Sequence, residues 1–168
     1  MTDVVVWHRA DLRTVDNAAL AAAAGDADRV APVFVVDPAY YGAEGLACEA
    51  RLRFLHECLA DLRRQYRDRG ADLALLSGDP RERIPDLLAD GWAVYCNRDV
   101  TARAGLERDR SLLDRGGVTV FADDGIRWPD ARNPDGTVAV DTRADWDEHC
   151  EAYFEADQHP RPESLGPN

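Results

Sequence analysis

A doubly wound five-stranded parallel α/β sheet, with helices on both faces, is the fold this sequence predicts, and three observations carry it. Five short runs, four of them rich in Val, Phe, Tyr or Trp and one of Leu and Ala, are apolar almost throughout, as strands buried on both faces are. Between them lie stretches of helical periodicity bounded by Asp, Pro and Gly in start and stop positions. The length of 168 residues suits one ordinary α/β domain.

The elements follow in order. Val4 to Trp7 is the first strand. Asp16 precedes the Ala-rich stretch Ala18 to Ala24, closed by Gly25, so a cap, a helix and a stop are expected there. Val30 to Val36 is a second strand ending at Asp37-Pro38. Leu52, Leu55, Leu59, Leu62 and Tyr66 recur every three or four residues, one stripe of an amphipathic helix that Gly70 stops. Leu73 to Leu76 is the third strand. Asp79-Pro80-Arg81-Glu82 then reads as cap, first position and capping acid of a helix in which Pro85 is an expected kink. Trp92 to Cys96 and Val118 to Phe121 are the fourth and fifth strands, with a charged helix over Ala102 to Arg115 between them. Right-handed crossovers make this a Rossmann-like arrangement. Beyond residue 125 the pattern changes: a Pro/Asp-rich loop over Asp130 to Asp135, a short extended piece at Thr137 to Val140, and a last helix over Asp145 to Ala156. The domain is expected to span residues 1–157, with 158–168 a Pro-rich tail or linker.

Charge excludes several functions. There are 32 acidic residues against 20 basic, a net charge of -12, and all the basic residues are Arg. Without Lys there is no Schiff-base, P-loop or general-base lysine. The acidic, lysine-free surface resembles that of halophilic proteins and argues against direct nucleic-acid binding. No apolar run reaches the ~18 residues of a membrane span. Cys48, Cys58, Cys96 and Cys150 are scattered, and neither they nor the four His fall at metal-ligand intervals, so no metal is expected. The expected location is cytoplasmic, with reduced thiols.

In an open parallel sheet, ligands sit beyond the carboxyl ends of the strands, near the reversal of strand order. The first and fourth strands flank that reversal, so Trp7, His8, Arg9 and Asp11, with Asn97, Arg98 and Asp99, are the candidate pocket wall, and Asp37 follows the second strand. Neither G-x-G-x-x-G nor G-x-x-x-x-G-K-[ST] occurs, so the usual phosphate cradles are missing.

Trp7-His8-Arg9-Ala10-Asp11-Leu12-Arg13-Thr14-Val15-Asp16-Asn17-Ala18-Ala19-Leu20 resembles the opening motif of the DNA photolyase and cryptochrome family, W-F-R-x-D-L-R-x-x-D-N-x-A-L. The likeness continues through Val33 to Pro38, Arg53-Phe54-Leu55, Ser77 to Pro80, Asn97-Arg98-Asp99 and Thr142 to Phe154, and so covers about residues 3 to 160. The resemblance implies the N-terminal α/β domain that holds a light-harvesting antenna chromophore. The family's activity is that of a deoxyribodipyrimidine photo-lyase, whose catalytic FAD sits in a separate helical domain. That domain is expected to be absent here, so no FAD, no catalytic residue and no repair by this chain alone are expected. His8 stands where the family has an aromatic, and Val100-Thr101 where a Tyr-Glu pair is usual. Both departures point to a deazaflavin or flavin rather than a folate.

Three functions follow from these readings. The chain is a stand-alone chromophore- or nucleotide-binding domain, or the N-terminal part of a truncated or split photolyase acting in light-dependent DNA repair, or a general nucleotide-binding or signalling module. Expected partners are a separate helical FAD-binding chain or a second copy; neither nucleic acid nor membrane is expected.

Overall fold

The computed structural model describes residues 2–42, 44–98, 103–113, 116–121 and 143–165. The described chain runs β1 (Asp3–His8), α1 (Ala18–Asp26), β2 (Arg29–Val36), a 3₁₀ turn (Pro38–Tyr40), α2 (Glu49–Arg67), β3 (Ala74–Ser77), α3 (Pro80–Ala89), β4 (Ala93–Asn97), α4 (Arg103–Leu113), β5 (Val118–Phe121) and α5 (Arg143–Glu155). It divides into two compact units, residues 1–123 with 159–168, and residues 124–158. The expected loop at 130–135 and extended piece at 137–140 lie outside the described residues. In the second unit, α5 carries Trp146 and Cys150 half-buried and Phe154 exposed.

The first unit is the α/β sheet the sequence predicts. All pairings are parallel, in the order β3-β2-β1-β4-β5, so strand order reverses between β1 and β4. Alternation along β1 sorts the core into two layers. Val4 and Val6 pack with Leu20 of α1 and with Leu59, Leu62 and Tyr66 of α2. Val5 and Trp7 face the other way, against Ile84 of α3 and Leu112 of α4. Pro32 is tolerated inside β2 because β3 begins pairing only at Val33.

Local chemistry sets the helix ends. Asp79 caps α3 by accepting from the Arg81 N–H, with Pro80 at the first position, and the helix continues through Pro85 to Ala89. Gly70, at φ 83°, follows α2 in the left-handed region that favours glycine. At α1 the cap is Asn17 rather than Asp16: the Asn17 side chain accepts from the Leu20 N–H. Asp16 itself sits at φ 48° and turns its carboxylate to the His159 N–H, 2.9 Å away. Gly25 does not stop the helix, which runs to Asp26. Residues of the Pro-rich tail lie along this unit. The Leu165 N–H donates to the Arg69 carbonyl, and its side chain packs on the α1–α2 layer.

Candidate functional site

Two neighbouring places at the carboxyl end of the sheet concentrate polar and aromatic side chains: a buried polar cluster between β1, α1 and β4, and an open cleft beyond β1 and β2.

The polar cluster is built by the turn after β1. Asp11 accepts from the Arg9 backbone N–H (3.1 Å) through one carboxylate oxygen, and from the side-chain amides of Asn97 (2.7 Å) and Asn17 (3.2 Å) through the other. Asn97, at the end of β4, donates also to the Asn17 side-chain oxygen and accepts from the Ala19 N–H. The first turn of α1, where an α/β nucleotide-binding fold would hold a phosphate, therefore has N–H groups engaged by Asn17 and Asn97. Arg13 closes the turn by donating to the Asp16 carbonyl, and Thr14 ties it to Gln65 of α2.

His8 is buried at the end of β1. Its Nδ1 lies 3.1 Å from the Asp11 carbonyl, which can only accept, so Nδ1 carries the proton. Burial pushes the imidazole pKa below its ordinary value, and Nε2 accepts from the Tyr66 hydroxyl at 2.5 Å. Burial likewise raises the pKa of the Tyr66 phenol, so it remains a donor. Cys96, on the opposite layer, has its thiol pushed up to about 11 by burial, with no tendency toward thiolate.

The cleft has a volume of about 240 Å³. Among the described residues it is lined by Trp7 to Ala10, Phe34 to Asp37, Tyr40, Tyr41, Leu55, Pro80 and Arg108. Asp37 accepts from the Ala39 N–H and so shapes the 3₁₀ turn that presents Tyr40 and Tyr41. Tyr41 is braced by His56 of α2, hydroxyl to Nε2 at 3.1 Å. Against the Trp7 indole lies a charge cluster in which Arg9 and Asp109 are buried and Arg108 is partly exposed. Arg9 Nη1 is 2.6 Å from both oxygens of Asp109, Arg108 lies 3.2 Å from the same carboxylate, and both guanidiniums sit over the Trp7 indole at 4.9 and 5.1 Å.

Thus the structure brings Trp7, His8, Arg9 and Asp37 together at the cleft. Asp11 and Asn97 belong to the polar cluster instead. The Arg98 N–H donates to the Phe121 carbonyl, and its side chain does not line the cleft. Asp99 falls outside the described residues. Sequence reasoning missed Tyr40, Tyr41, Leu55 and Arg108. The tyrosines follow the end of β2 and were findable by the same strand-end rule that found Asp37; nothing local marks Arg108, which reaches the cleft from α4.

Residues 4–160 match the family model described as DNA photolyase. The cryptochrome DASH of Natronomonas pharaonis is 36% identical over 169 residues, 90% of this chain and 34% of that protein. Over 100% of this chain and 36% of that one, it superposes on the class III photolyase of Agrobacterium tumefaciens with a TM-score of 0.71 at 27% identity. The archaeal photolyase of Sulfolobus tokodaii, a structure with two FAD molecules, shares the fold at a TM-score of 0.72 and 22% identity, over 99% of this chain and 38% of that one. The chain spans less than half the length of the curated relatives it matches. No described helix is long and apolar enough to cross a membrane. The match over residues 4–160, carried by the Trp7–Leu20 motif and the β3-β2-β1-β4-β5 sheet, makes this chain a member of the DNA photolyase family, corresponding to its N-terminal Rossmann-like domain.

Proposed function

We propose that this domain binds a planar light-absorbing chromophore, a flavin or deazaflavin, in the cleft beyond β1 and β2, and is not catalytic by itself. The observation that carries the reading is the lining of that cleft. Trp7, Phe34, Tyr40 and Tyr41 supply aromatic and apolar surface for a flat ring system, and Arg108 and Asp37 supply a few polar groups to orient it. A volume of about 240 Å³ suits one ring system better than a whole dinucleotide. Arg108 is the group for a ring carbonyl or an anionic substituent. Both arginines are engaged by Asp109, and Arg108 is the more accessible of the two, its side chain 18% exposed against 4% for Arg9.

The domain's role on this reading is to absorb light for chemistry done elsewhere, on FAD held by a helical partner, and its net charge of -12 disfavours a role in gripping the DNA backbone. The test is the absorption spectrum of the purified protein, followed by fluorescence titration with riboflavin and FMN. Saturable one-to-one binding is expected. Absence of binding by either, or repair of cyclobutane dimers in blue light by this chain above a no-protein control, contradicts the proposal.

A further inference from the structure

We propose that His8 and Tyr66 form an acid-sensitive latch between β1 and α2, which holds the inner wall of the cleft while His8 is neutral and lets go when it is protonated. Both side chains are fully buried, and His8 stands in the cleft wall. The geometry leaves one arrangement of protons: Nδ1–H donates to the Asp11 carbonyl, and the bare Nε2 accepts from the Tyr66 hydroxyl. A proton added at Nε2 forces the Tyr66 hydroxyl to turn from donor to acceptor, and it places both an imidazolium and a phenolic hydrogen that has lost its acceptor in a fully buried site. Either the hydroxyl turns and its buried hydrogen is left without the acceptor it had, or the ring leaves its site.

The surroundings do not compensate. From the turn after β1, Asp11 favours the imidazolium and Arg13 opposes it; the charged groups acting on Tyr66 are that same Asp11 and Arg69, just beyond the end of α2. Asn17 and Asn97, which hold Asp11 in place, are neutral. Desolvation outweighs the Asp11 attraction, so the folded state takes up this proton at lower pH than the unfolded chain does. The sign follows: the latch contributes stability above the ordinary histidine pKa of about 6.5, and that contribution is lost as pH falls below it. Tyr66 pins α2, whose Leu55 also lines the cleft, so the same event loosens two parts of one wall.

The first test reads the latch without any ligand. Long-range ¹H–¹⁵N spectra of the full chain at about pH 7 are expected to show His8 as the neutral Nδ1–H tautomer; an Nε2–H or doubly protonated ring overturns the proposal. Melting temperature is then compared at about pH 7 and about pH 5, the range in which histidine changes charge. The loss on acidification is expected to be smaller in His8→Phe than in the wild type, and an equal loss overturns the proposal. The coupling to the cleft rests on the proposed function and is read separately. Riboflavin bound at pH 7 is expected to be released by acid more steeply from the wild type than from His8→Phe. Matching release curves would overturn the coupling, whereas absence of binding at pH 7 counts against the proposed function and leaves the spectra and melting data to decide on the latch.

Discussion

The polar cluster around Asp11, Asn17 and Asn97 and the cleft around Trp7, Tyr40 and Arg108 lie side by side at the end of the same strand, yet they spend their chemistry differently. In the cluster the polar side chains are turned on the protein itself: the three residues bond one another and the first N–H groups of α1. In the cleft the surfaces are aromatic and partly open, Tyr40 being 42% exposed. Within the most distinctive stretch of the sequence, Asp11 to Asn17 therefore build a turn and cap a helix, and Trp7 to Ala10 face the cleft. The cleft is lined largely by ordinary-looking residues on β2, the 3₁₀ turn, α2 and α4.

The difference can be broken from the polar side first. Asp109 holds Arg9 in a pair whose side chains are 4% and 9% exposed. Removing one partner of such a pair leaves a buried charge uncompensated and costs about 3–5 kcal/mol. Asp109→Ala is expected to lose that much in urea denaturation, and a loss within the range of ordinary surface substitutions would show the pair to be less buried than it stands here. By the same logic Arg9→Ala measures stability before it measures ligand affinity. Asn97→Ala comes next. It strips one partner from the Ala19 N–H and one from Asp11, and about 2–3 kcal/mol of destabilisation is expected, with riboflavin affinity of the folded protein unchanged. Lost affinity at unchanged stability would move Asn97 from the cluster to the ligand site.

The smallest effect is expected far from both. Asp72 accepts from Arg63 and Arg67, and these hydrogen bonds, Arg63 foremost, hold its carboxyl below the usual carboxylate range. Its contribution is present above the ordinary Asp value of about 3.9 and is lost as pH falls below it. Asp72→Asn should flatten the stability profile only in that acid window. The effect at neutral pH is small, because all three side chains are about half exposed and solvent screens the pair.

What was legible in the sequence follows the same division. Strand runs such as Val33 to Val36 and the Leu59–Leu62–Tyr66 stripe are periodic because burial is periodic, so the sheet and its two layers could be read directly. Cap residues compete over one or two positions, and there local reading slipped: Asp16 and Asn17 are both good caps, and the one in extended conformation took the role while its neighbour went left-handed. The cleft was only half legible. Trp7, Arg9 and Asp37 stand at strand ends, where the topology directs attention, whereas Arg108 arrives from α4 by tertiary packing. The pairing of His8 with Tyr66 spans 58 residues and leaves no local trace in the sequence.

The central claim is that the ligand occupies the cleft beyond β1 and β2, and Ala10 offers the most direct way to test it. Ala10 lines that cleft and is itself exposed, so Ala10→Trp fills the space with an indole without disturbing the core. Riboflavin titration of the two proteins, with melting curves alongside, decides the matter. The wild type is expected to bind, and the variant to melt at the same temperature and bind at least tenfold more weakly, a difference of about 1.4 kcal/mol or more. Equal affinity in a variant of unchanged stability would contradict the assignment of the cleft.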